Sequence, residues 1–169
     1  MPANDSPAVA QVKDILRGGA IPPPDGSVNL VKELKAEKRF RLAWQLAARA
    51  RRNPGPNPNP AVLLKLAQQE ALCIYKDTDL AAEQRFARAL EILEHDCDLA
   101  NTKDQETLGL AGAIHKYRWQ WDSQPRHLER SLSYYLRGHE AGDPARGDSD
   151  NGYTAINAAF VLDLIASLE

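Results

Sequence analysis

Apolar residues recur along this chain at steps of three and four, and almost nowhere at steps of two. That period belongs to a helix with one buried face, whereas a half-buried strand alternates. No run of alternating β-branched residues breaks the pattern, and no Asn-Gly turn sits between such runs. The chain therefore reads as all-α.

Proline and glycine divide the helical pattern into segments. A first helix is expected from Ser6 to Arg17, stopped by Gly18-Gly19, with Pro22-Pro23-Pro24 as an extended connector. A second starts near Ser27, breaks at Glu37-Lys38 and resumes from Arg39 to Arg51, with Phe40, Ala43, Leu46, Ala47 and Ala50 on one face. Asn53 to Pro60 reads NPGPNPNP. Each proline there removes a donor and restricts the residue before it, so this is an internal linker. Pro60 to Lys76 follows as a helix with Pro in its first turn. Thr78-Asp79 is placed to cap the next, whose stripe is Leu80, Phe86, Leu90, Leu93 and Cys97.

Asp104 to Trp121 carries two stripes, Leu108/Ala111/His115/Trp119 and Leu110/Ile114/Tyr117/Trp121, so it should be packed on two sides. Arg126 to Ala141 should turn Leu128, Leu132, Tyr135 and Leu136 inward. Gly142 to Gly152 reads as a loop. The last helix begins at Tyr153. From Ala155 to Ala166 its only polar residues are Asn157 and Asp163. So apolar a helix needs cover on most of its surface, and we expect either a longer protein or a partner packed on it; the alternative is a last helix buried wholly inside this chain. Helices joined mostly by short turns stack as antiparallel hairpins. The expected organisation is an N-terminal helix and connector over residues 1–26, then one helical-repeat domain over 27–169 with the Pro-rich linker 53–60 inside it.

Composition narrows the function. Lys plus Arg number 21 and Asp plus Glu 23, a formal net charge of -2, which gives no drive toward nucleic acid or an anionic membrane. No stretch approaches the ~20 apolar residues of a membrane span, and the N-terminus has no apolar core of a signal peptide. Cys73 and Cys97 form no disulfide framework, which fits a reducing cytoplasm. No G-x-S-x-G elbow, HExxH pair or phosphate-binding loop occurs. His95 and Cys97 lack a second pair at ligand spacing, so no metal or cofactor is expected, and no enzyme.

One hairpin carries a recognisable signature. Leu108, Ala111, Gly112 and His115 fall on the W-x2-L-G-x2-Y positions of a tetratricopeptide first helix, and Ser131 and Tyr135 on A-x3-F of the second. Longer phrases are more specific: Ala71 to Asp77 (ALCIYKD), Asp104 to Ile114 (DQETLGLAGAI) with Lys116, Leu128 to Leu132 (LERSL) and Gly152 to Ala159 (GYTAINAA). Together these resemble the divergent tetratricopeptide domain called TPR-S or TRAFs-binding domain. That domain is found in apoptosis signal-regulating MAP kinase kinase kinases and in bacterial signalling and defence proteins. The resemblance runs from about Asn29 to the end and is strongest from Ala71 onward. His115 stands where the family has Tyr, and Ala155 where it has Gly. The resemblance implies a tetratricopeptide-like α-solenoid. It also implies a non-catalytic cytoplasmic sensor or adaptor that binds a small nucleotide-derived ligand and relays it to a fused or associated effector. The alternative is a scaffold that binds a peptide in its concave groove.

The tetratricopeptide register points to the groove residues. Positions 2, 5, 9, 12 and 13 of the helix from Asp104 are Glu106, Gly109, Ala113, Lys116 and Tyr117. Gly109 and Ala113 should leave the groove floor open. In the last helix the register brings Asp163 to the groove, with Asn157 and Tyr153 on its shoulder. Lys116 suits a phosphate or carboxylate, Asn157 can donate and accept, and Tyr153 or Trp119 can stack on a ring. Lys76, in the Tyr75-Lys76-Asp77 phrase, completes the candidate set.

These residues also have structural uses. A Lys that closes a helix favours its dipole, and Asn157 can satisfy a backbone group in a neighbouring turn. Asp163 can pair with Arg130 or Arg137, and His115 can be a satisfied core histidine.

Overall fold

The computed structural model describes residues 5–142, 145 and 150–169. Among them are eight α-helices and no strand: α1 (Pro7–Leu16), α2 (Pro24–Ala36), α3 (Phe40–Arg52), α4 (Pro60–Lys76), α5 (Ala82–Asp96), α6 (Gln105–Asp122), α7 (Pro125–Ala141) and α8 (Tyr153–Leu168). The loop expected over 142–152 falls partly outside the described residues. By packing, the chain divides into two compact units, Met1–Leu80 and Ala81–Glu169. Each is a stack of sequentially packed helices, the tetratricopeptide-like arrangement expected.

In the first unit α1 packs on α2 and α3, and α4 on both α2 and α3. Val9, Val12, Ile15, Val31, Leu34, Leu46, Ala47, Leu66 and Cys73 form the shared core. Ser6 caps α1, its hydroxyl accepting from the Val9 N–H. Pro24 is the first residue of α2, so the extended connector ends at Pro23 and the helix begins three residues before Ser27. Proline is tolerated there because a first-turn N–H has no helical partner. Ser27 is then buried inside α2, donating to the Pro22 carbonyl at 3.2 Å. The break at Glu37-Lys38 is a left-handed helix stop: Lys38 has φ 57°, and the Arg39 N–H reaches back to the Leu34 carbonyl at 2.8 Å. Asn59 caps α4 ahead of Pro60, accepting from the Ala61 N–H at 2.9 Å.

Asp77, just past α4, is 4% exposed and still charged. Its carboxylate accepts from Trp44 Nε1 at 2.9 Å, Arg41 Nε at 3.1 Å and the Asp79 N–H at 3.1 Å, tying α3 to the end of α4. Burial opposes the charge, but these donors outweigh it and hold the carboxyl below its usual range. Thr78-Asp79 is thus spent on a turn around Asp77 and does not cap α5. Helix α5 begins after Ala81 with no side-chain cap.

The second unit is built around α6, which packs on α5, α7 and α8. Its residues Thr107 through His115 are all buried, as expected for a two-striped helix, while Tyr117 and Trp121 at its end are exposed. Asp104 caps it, accepting from the Thr107 N–H at 2.8 Å. The tetratricopeptide signature residues meet one another. Ser131 donates to the Gly112 carbonyl at 2.7 Å, and a Cβ on Gly112 would lie 2.8 Å from the fully buried Tyr135 ring. The buried stripe of α7 runs His127, Leu128, Ser131, Tyr135, Gly138. It is centred on small residues where helices cross closely, and Leu136 is left exposed instead of facing inward.

Helix α8 rests on α7 and α6 through Thr154, Ala158 and Val161. Asp150 holds its first turn, accepting from the Gly152 N–H at 3.0 Å and the Thr154 N–H at 2.7 Å. Ile156, Phe160, Leu162 and Leu168 are exposed, so this helix is not wholly buried within the described residues. No helix among the described residues is long and apolar enough to cross a membrane.

Candidate functional site

Lys116 leaves α6 one turn beyond the close-packed Gly112 and points toward α8. Its Nζ donates to Asn157 Oδ1 at 2.9 Å. The Asn157 amide in turn donates to the Tyr153 carbonyl one turn back at 2.9 Å, which turns its oxygen toward the lysine. Two rings flank the ammonium, Phe160 at 5.4 Å and Tyr135 at 5.8 Å from their centroids. Lys116 is half-buried, and desolvation lowers its pKa. Among the described residues no carboxylate pairs with it; its one hydrogen bond goes to a neutral amide.

Tyr153 lies across Gly109: a Cβ at that glycine would stand 3.1 Å from the tyrosine ring. The ring also meets Tyr135 edge-on at 6.1 Å. The floor expected to be open above Gly109 is therefore filled by Tyr153, and Ala113 is buried beside it. The lack of a side chain at Gly109 serves helix-to-ring packing. Of the expected groove residues, Gly109, Lys116, Tyr153 and Asn157 come together at the α6–α8 contact. Glu106, Tyr117 and Asp163 stand exposed on the same helices. Asp163 does not meet Arg137, whose guanidinium donates to the carbonyls of Leu99 and Ala100, both at 3.1 Å.

Lys76 belongs to the first unit. Its Nζ lies 5.9 Å from the Phe40 ring centroid and 6.0 Å from that of Tyr75. It lines a cavity of about 420 Å³ with Lys38, Arg39, Arg41, Asp77 and Asp79. Arg41 is already engaged there by Asp77. Both cysteines are buried thiols outside any disulfide, and burial pushes Cys73 up to about 12, so it is held as an unreactive thiol. Among the described residues no group of three or more His, Cys, Asp or Glu could hold a metal ion.

A further cavity, between α5, α6 and α7, was missed in the sequence. Its signal was present: His115 and Arg118 three apart on α6, and Arg130, Tyr134 and Arg137 at steps of four and three on α7. Arg130 and Arg137, which could equally have paired with Asp163, line this cavity instead. His115 is buried as expected of a core histidine, yet its Nδ1 has no hydrogen-bond partner.

The family model described as Tetratricopeptide Repeats-Sensor (TPR-S) fits residues 28–162 of this chain. No curated protein and no solved structure matches it.

Proposed function

The chain belongs to the tetratricopeptide repeats-sensor family, and we propose that it is a non-catalytic regulatory module. In this reading it binds a small nucleotide-derived ligand at the α6–α8 contact and relays it to a fused or associated effector in the cytoplasm. The observation that carries the reading is Lys116, a half-buried ammonium with no carboxylate partner among the described residues. A lysine has three donors, and Asn157 takes one. A phosphate oxygen that reached the others would supply the missing counter-charge in a partly desolvated setting, where an ion pair is stronger than in water. Tyr153 and Phe160 are about half exposed beside it and offer ring faces for a base. Because Lys116 is on α6 and Asn157 on α8, a ligand held by both would bias how α8 sits. Helix α8 is also the one whose exposed Ile156, Phe160 and Leu162 form an apolar surface.

That same surface favours the scaffold reading: a peptide could lay an apolar side chain on Ile156 or Phe160 and set its terminal carboxylate on Lys116. A thermal-shift screen separates the two. The arms are nucleotides, nucleotide second messengers, ADP-ribose-type compounds and short acidic C-terminal peptides, with Lys116→Ala and Asn157→Ala alongside. A ligand at ~100 times its dissociation constant stabilises by about 2.7 kcal/mol. A nucleotide-class shift lost in both variants supports the sensor reading. A peptide shift lost in both supports the scaffold. A screen silent in every arm counts against this site in either role.

A further inference from the structure

The cavity between α5, α6 and α7 has a volume of about 540 Å³, within the range of small-molecule sites. Arg118, Arg130 and Arg137 line it, and Glu94 is the one acid in its wall. Among the described residues neither Arg118 nor Arg130 forms an ion pair. Asp122, the other acid near Arg118, is held at 3.0 Å by His127. Two guanidinium groups thus stand in one concavity without a direct ion pair, with Glu94 in the wall and Asp122 nearby as the acids set against three arginines. Clustered cations repel one another, and such a cluster is most readily reconciled with an anion between them.

The third arginine is built in. Its guanidinium clamps the Leu99 and Ala100 carbonyls at the turn before α6 and lies 5.5 Å from the Tyr134 ring centroid. Tyr134 in turn stacks on His115, with centroids 5.6 Å apart and planes 12° from parallel. His115 is 3% exposed, and its Nδ1 makes no hydrogen bond. A chain of packed groups from two helices therefore fixes the wall of this cavity, and one buried polar side chain in it has a nitrogen to spare.

We propose that this cavity is a binding site for the phosphate groups of a small phosphorylated molecule, held by Arg118 and Arg130 against the His115–Tyr134–Arg137 wall. It is separate from the Lys116 site, because Lys116 faces Phe160 and Asn157 of α8 whereas the cavity opens between α6, α7 and α5. Planar guanidinium groups match phosphate oxygens in pairs, which a lone ammonium does not.

The test is calorimetric titration of the whole chain with inorganic pyrophosphate, and separately with adenosine diphosphate, at constant ionic strength set with chloride. Arg118→Gln, Arg130→Gln and Lys116→Gln accompany it. Arg130 is exposed, so Arg130→Gln should fold normally and carries the test if Arg118→Gln does not. The expected result is pyrophosphate binding that weakens at least tenfold in each arginine variant and weakens again when the titration is repeated at higher chloride. Adenosine diphosphate binding with the same arginine dependence supports the site with its phosphate carried on a nucleotide. Absence of binding by either compound overturns the proposal, as does binding indifferent to both arginines. Binding abolished by Lys116→Gln alone overturns it too and transfers the ligand to the α6–α8 contact.

Discussion

Gly112 meets Tyr135 so closely that a single methyl group would have nowhere to go. An added Cβ would stand 2.8 to 2.9 Å from three atoms of a ring that is fully buried and cannot swing away. Alanine gains ~1 kcal/mol over glycine in a helix, but overpacking a closed contact costs about 1–3 kcal/mol. Gly112→Ala should therefore lose about 1 kcal/mol net, read as a lower urea midpoint at unchanged slope. A neutral or stabilised variant would show that α7 can back away from α6. Asp77 is the corresponding test in the first unit. Asp77→Ala strands the Trp44 N–H and the Arg41 guanidinium that its carboxylate serves. We expect a loss of about 2 kcal/mol. Asp77→Asn should recover part of it, since the amide oxygen still accepts. If the alanine variant is as stable as the parent, the buried carboxylate is dispensable.

Among the elements, the helix stop at Lys38 gives the most direct test. A lysine with φ 57° carries the left-handed penalty that glycine avoids. Lys38→Gly should stabilise by about 0.5–1 kcal/mol, a rise of ~4 °C in the melting temperature of the first unit. Scanning calorimetry checks it, and a lowered melting temperature would mean that the lysine side chain matters more than its backbone. Helix ends of this kind were the most legible feature of the sequence. The bounds of α4 follow from Asn59-Pro60 and those of α6 from the Asp104 cap, because these are local signals. Signals that depend on a neighbour were less legible. Thr78-Asp79 has cap chemistry, but Asp77 claims the turn once Trp44 and Arg41 converge on it. On α7, Leu128 and Tyr135 are buried as expected and only Leu136 of the residues expected inward is exposed, because the inward stripe runs on to Gly138, a residue whose role is to be small. The candidate site divides the same way. The register on α6 and α8 set Lys116 and Asn157 at one groove, since helix faces are periodic, and the structure brings them within hydrogen-bond distance. It could not show that Tyr153 fills the space over Gly109, nor that arginines from two helices share a cavity.

At the scale of the whole molecule, titration should separate the two units. All four histidines lie within residues 81–169. His115 is depressed from 6.5 to about 4, first by burial and then by His127, Arg130 and Arg118. His127 is lowered as well, by burial that Asp122 only partly offsets. The folded unit thus refuses protons that the unfolded chain accepts below about 6.5. Its stability must fall with pH from there until His115 protonates in place near 4. The loss attributable to His115 is on the order of 3 kcal/mol. The first unit contains no histidine, and its depressed group is Asp77. The stability that Asp77 contributes is present above the pKa of an unfolded aspartate and is lost only as pH falls through the lower folded value. Mild acid should therefore loosen residues 81–169 while leaving residues 1–80 protected. Hydrogen exchange by mass spectrometry at pH 7 and pH 5, corrected for the intrinsic pH dependence of exchange, resolves the two by peptide. His115→Leu removes the main titrating group and should flatten the response of the second unit without touching the first. Equal loss of protection in both units, or an unchanged pH response in His115→Leu, would mean that the buried imidazole does not set the acid limit of this fold.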